Sequence, residues 1–244
     1  MRRYITIIAL TVLFGIQPSM ASSYMGGEIY WDCLSSGKYR FTLILFHVCT
    51  GVQPPTTVTL NSTSPAGQIQ LTLYPLNQAI TDISPACNPD TVFPHYSCQG
   101  IVPGAQTYPG IIQRVVYTSD NAFPNGVVLN GIPPPTGWVF SYSGCCRNQA
   151  SNIVNATQYK WFIRSVMYPY GTQNTSSCFD HSARSAEPPP TVLCSGYPSS
   201  WHQAAYDPDM DSIAFSWAQV IEGNLQMPIT AYYAAYAYNS PFPG

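Results

Sequence analysis

Lys38-Tyr39-Arg40-Phe41-Thr42-Leu43 alternates polar and apolar side chains, one after the other. Successive side chains of an extended chain point to opposite faces, so the pattern predicts a strand with one face on a core. The strand continues to Val48, and Ser35-Ser36-Gly37 before it supplies a turn from an earlier strand over 28–31. Further strands are expected over 57–60, 68–74, 111–118, 126–129, 138–142, 159–167, 191–193 and 212–217. Gln53-Pro54-Pro55, Asn88-Pro89-Asp90, Pro133-Pro134-Pro135 and Pro188-Pro189-Pro190 punctuate them. No ten-residue segment carries a capped 3.6-residue apolar stripe, and no internal repeat is visible. Short strands with frequent turn signals predict an all-β fold of sandwich architecture.

Composition agrees. Among 244 residues stand 23 Pro, 17 Gly and 18 Tyr, and only 8% are charged. Tyr, Thr and Val suit a pleated surface while Pro and Gly break helices, which excludes coiled coils and helical bundles. With nine basic against eleven acidic residues there is no positive surplus to neutralise phosphates, so no nucleic-acid partner is expected. Hydrophobic residues make up 45%, enough for a packed core.

The first residues define a compartment. Arg2 and Arg3 precede an apolar run from Ile5 to Ile16, then Gln17-Pro18 and Ser19-Met20-Ala21. This is the charged, apolar and small-residue order of a secretory signal peptide, assigned to residues 1–21. The apolar run is shorter than the roughly 20 residues a membrane span needs, so no span is expected in the mature chain. Cleavage after Ala21 leaves seven basic and eleven acidic residues, a net charge of −4. The expected location is secreted, extracellular or at the cell surface.

Eight cysteines fit export: Cys33, Cys49, Cys87, Cys98, Cys145, Cys146, Cys178 and Cys194. An even count in a secreted chain reads as up to four disulfides. The local candidates are Cys33 with Cys49 across the hairpin, and Cys87 with Cys98 closing a loop. Cys145 and Cys146 are neighbours, and on a strand they point to opposite faces, so they should take different partners. Cys178 and Cys194 are the natural suspects.

The chain carries no GxSxG elbow, HExxH helix or phosphate-binding Gly-rich loop. No catalytic residue is therefore assigned. The sharpest local feature is Asp207-Pro208-Asp209-Met210-Asp211-Ser212-Ile213. Asp207, Asp209 and Asp211 could converge on a hard cation, which makes calcium the expected cofactor. It is no EF-hand, since Ser212 and Ala218 stand where Gly and the bidentate Glu belong. The competing reading is a solvated turn whose Asp side chains cap backbone amides. Aromatic residues, 14% of the chain, either fill the core or stack on sugars and protein partners.

Several segments together resemble secreted Bacteroidota surface proteins with PKD or cadherin-like modules, of the type associated with gliding motility. They are Met25-Gly26-Gly27-Glu28-Ile29-Tyr30-Trp31-Asp32-Cys33, the strand from Tyr39 to Cys49, and Tyr142-Ser143-Gly144-Cys145-Cys146-Arg147-Asn148. Downstream, Pro188 to Gly196 and Asp207 to Ile213 keep the family's order, with Met210 where the family pattern has Gly and Cys178 an extra cysteine. The resemblance spans nearly all of the mature chain. It implies disulfide-stapled immunoglobulin-like β-sandwich modules serving adhesion, motility or surface structure, with surface proteins or glycans as partners and no catalytic residues.

The domain expectation is a sandwich over 22–175 and the start of a second, incomplete β-module over 176–244. Gly171 to Ser177 and Glu187 to Pro190 mark the boundary. The chain ends soon after a Tyr-rich run, which suggests the N-terminal piece of a longer surface protein. Two rival functions remain. One is a carbohydrate-binding module using exposed Trp and Tyr, and the other is a secreted hydrolase with an Asp-based site.

Overall fold

The alternating stretch forms half of a long antiparallel hairpin, β1 (Tyr24–Ser35) with β2 (Lys38–Val48). A computed structural model describes residues 24–240 except 36, 50, 52, 76–77, 85–94, 99–106, 110–111, 146, 170–179 and 189–203. The signal peptide, the strand expected over 191–193, and Cys87, Cys146, Cys178 and Cys194 lie outside the described residues.

Past Leu43 the alternation gives way to the continuous apolar run Leu43-Ile44-Leu45-Phe46, the mark of a strand covered on both sides. Phe41, Leu43 and Leu45 enter the main core, while Ile44 and Phe46 pack on the other face with Ile112 and Val116. The remaining strands follow in chain order. They are β3 (Thr57–Ser62), β4 (Gln68–Leu73), β5 (Ile80–Asp82), β6 (His95–Ser97), β7 (Thr107–Pro109), β8 (Ile112–Thr118) and β9 (Val127–Val128). Then come β10 (Trp138–Gly144), β11 (Trp161–Met167), β12 (Arg184–Ser185) and β13 (Ala205–Tyr206). Among the described residues there is no α-helix, only a 3-10 turn over Ala156–Gln158.

The chain is all-β. Nine strands form one antiparallel sheet in the order β1-β2-β8-β4-β3-β10-β11, with β5 also on β8 and β9 also on β2. The sheet curls until its ends meet, so that it is nearly a barrel. Inside, Phe41 and Phe140 stack at 4.5 Å between ring centroids, and Trp31 lies 5.8 Å from Phe140. Rings from the neighbouring strands β1 and β2 thus meet a ring from β10, which lies far from both in the sheet order. Most large aromatics of residues 24–142 fill this core, as the burial of Trp31, Tyr39, Phe41, Tyr117, Trp138, Phe140 and Tyr142 shows.

Two cysteine expectations are corrected. Cys49 bonds Cys98, not Cys33, and Cys98 therefore does not bond Cys87. The reason lies in the hairpin's register: Cys33 stands opposite Tyr39, at the other end of β2 from Cys49. Cys33 and Cys145 are each in a disulfide as well. A strand expectation also changes. Residues 212–217 form no strand; no other strand pairs with them, and Phe215 and Trp217 are exposed. Alternation builds a strand only where a ladder partner exists.

Residues 180–188 and 204–240 are fastened to the rest of the chain at several places. Ser182 exchanges hydrogen bonds with the Trp31 backbone, and Arg184 pairs with Asp32 at 2.5 Å. Farther on, Ile229 packs on Ile153 and Ala156, while the Val154 N–H donates to Ala231 O and the Tyr233 N–H to Asn152 O.

Candidate functional site

Two places gather chemistry. The first is the acidic turn. Asp207 Oδ1 accepts the Asp209 N–H at 2.8 Å, and the Met210 N–H donates to Asp207 O at 3.1 Å, closing a tight turn. Met210 takes a left-handed conformation at φ 65°, which costs a side-chain-bearing residue energy. Asp209 reaches across to another segment: its carboxylate accepts the His181 N–H at 2.6 Å and lies 3.1 Å from His181 Nδ1.

Next to His181, Asp180 accepts a hydrogen bond from Trp31 Nε1 at 3.2 Å. Burial pushes the Asp180 carboxyl up to about 6, against the Trp31 bond, and the charges of Asp209, Asp207 and Asp211 add to the rise. The fold thus brings a fourth carboxylate, Asp180, within electrostatic reach of the three expected from sequence. No sequence signal marks it, because its partners lie some 30 residues on or 149 residues back. Asp207 and Asp209 already accept amide hydrogens, as the capping reading expects. Among the described residues, three metal-ligand-type atoms lie within 4.8 Å of one another only at Cys49, Asp82 and Cys98. There the two sulfurs are bonded to each other, and Asp82 accepts the Cys98 N–H at 2.6 Å.

The second place is a cleft of about 770 Å³ where the curled sheet's two ends, β1 and β11, approach each other. Gly26 and Gly27 of β1 form one wall, Trp161 to Arg164 of β11 another, and residues 217–221 with Tyr238 the third. Arg147 is 6% exposed, and its guanidinium lies 4.1 Å above the Trp161 ring. Its Nη2 donates to Ile221 O at 3.4 Å, while its Nε, like Trp161 Nε1, is buried with no hydrogen-bond partner. Glu222 is close enough to act on Arg147 electrostatically, but its oxygens accept the N–H groups of Leu225 and Lys160. Trp217 is 65% exposed and Arg164 is exposed beside it in the lining. The sequence offered Arg147 only as part of the Cys-Cys-Arg-Asn segment, with no hint of Trp161 beneath it.

No helix among the described residues is long and apolar enough to cross a membrane. No family model, curated protein or solved structure matches the chain.

Proposed function

We propose that this chain is a non-enzymatic extracellular module for adhesion or cell-surface structure, including motility, and that its curled sheet is a form of the immunoglobulin-like sandwich. The observation that carries this reading is the Cys49–Cys98 bond, which ties the end of β2 to the segment before β8 in an all-β core. Such bonds persist outside the reducing cytosol, in keeping with the export pattern over residues 1–21. Calcium belongs to the proposal: Asp207, Asp209 and Asp211, with the Asp180 carboxyl within electrostatic reach, supply oxygen ligands of the kind the ion takes. Differential scanning calorimetry with millimolar calcium tests that part, and an unmoved melting temperature leaves the turn as a purely capped one. Surface display is tested by antibody labelling and protease shaving of intact producing cells. Protein found only in the cytoplasmic fraction would overturn the reading.

A second reading, a carbohydrate-binding module, is favoured by one observation: the cleft between β1 and β11 exposes Trp217 and Tyr238 beside polar side chains. Small-ligand sites have this size and this mixture of aromatic walls and few polar groups.

A further inference from the structure

Arg147 is a buried cation with no carboxylate of the described residues in ion-pair range; the ion pairs among those residues join Arg40 to Asp120, His181 to Asp209 and Arg184 to Asp32. A guanidinium stays charged, so burying it without a paired anion is costly. Two donors, Arg147 Nε and Trp161 Nε1, sit unpartnered next to each other in the same wall. Buried donors without partners are rare and call for an explanation. The described lining of the cleft holds two arginines, Arg147 and Arg164, and no carboxylate, in a chain whose formal net charge is −2. The cleft is therefore a local positive site with aromatic sides.

The shape limits what can enter. A peptide strand inserted between β1 and β11 would need about 4.8 Å on each side. At Gly27 even an added Cβ would collide with the Ile163 side chain, so the two strands are too close for an inserted strand. What fits is a compact ligand with flat apolar faces and an anionic group.

We propose that the cleft binds an acidic oligosaccharide, its carboxylate meeting Arg147 and Arg164 and its ring faces resting on Trp217 and Tyr238. The proposal rests on the carbohydrate-binding reading and narrows it to charged sugars. Guanidinium groups match carboxylates with paired hydrogen bonds, and such charge-assisted bonds are the stronger kind.

The test is a titration of the purified full chain with a galacturonic acid trimer, followed by tryptophan fluorescence and calorimetry. The methyl-esterified trimer serves as the neutral control and triglutamate as the non-sugar anion. Saturable binding of the acid trimer is expected, weakening with added salt. Arg164→Gln and Trp217→Ala, both at exposed positions, should each weaken it at least tenfold while leaving the melting temperature in place. Equal binding of the methyl ester overturns the acidic preference but leaves a carbohydrate module standing. Equal binding of triglutamate overturns the sugar assignment in favour of an acidic peptide. If neither sugar binds, the inference and the carbohydrate-binding reading both fall.

Discussion

At Met210 the backbone has a left-handed conformation, φ 65°, that glycine adopts without a steric penalty. A side-chain-bearing residue there costs about 1–2 kcal/mol, and Met210 is 91% exposed, so its side chain gives little back. Met210→Gly should therefore stabilise the protein by up to about 1 kcal/mol, after the extra freedom of glycine in the unfolded chain is subtracted. A urea midpoint that stays put or falls would show that the turn is relaxed with methionine. Asp180 leads to a prediction about pH. Its carboxyl is raised in the fold to about 6 from an ordinary 3.8. The folded state then holds the proton more tightly than the unfolded one, so this contribution to stability is complete below about pH 4 and is lost as pH rises through 6. Asp180→Asn keeps an oxygen for Trp31 Nε1 and removes the charge. In calcium-free buffer it should flatten the fall in melting temperature between pH 4.5 and 7.5 and exceed the parent above pH 6. An unchanged slope would assign the fall to another group.

Among the elements, the approach of β1 to β2 and β11 depends on Gly27. A Cβ at Gly27 would run into Ile44 O and the Ile163 side chain, whereas one at Gly26 would meet only Phe46 Cδ2 at an ordinary 3.6 Å. Gly27→Ala should thus cost about 1–3 kcal/mol by overpacking, and Gly26→Ala much less. Denaturation of the two variants side by side checks this, and equal costs would mean that the sheet's ends do not meet at Gly27. The same elements show what was legible in the residues. The β2 strand was readable from alternation, and β3, β4, β8 and β10 from apolar spacing between Pro and Gly signals, each found within two residues at either end. The two-residue strands β12 and β13 were not, because nothing in Arg184-Ser185 or Ala205-Tyr206 announces a ladder; they exist because they pair with each other. Conversely, Ile213, Phe215 and Trp217 carry a strand's alternation without a partner strand.

For the molecule as a whole, the Cys49–Cys98 bond spans 49 residues of sequence and encloses β3, β4, β5 and β6. On the chain-entropy account, closing a loop of that length restricts the unfolded chain by about 4 kcal/mol. Replacing both cysteines by alanine should lower stability by about 3–4 kcal/mol in guanidinium denaturation without altering the sheet's circular dichroism. A loss below about 1 kcal/mol would mean that the sheet already holds those strands together in the unfolded ensemble.

Period-two patterning, turn residues and the cost of burying polar backbone are local matters, and they made the all-β class and the places of most sheet strands readable from the residues themselves. The pairing of Cys49 with Cys98, the approach of Asp180 to Asp207, Asp209 and Asp211, and the stacking of Arg147 on Trp161 are of another kind. The first two join segments far apart in the chain, and the third depends on the β10–β11 register that sets Gly144 opposite Trp161. Strand order and register across a sheet have no period or motif in the chain. Only the tertiary structure could decide them.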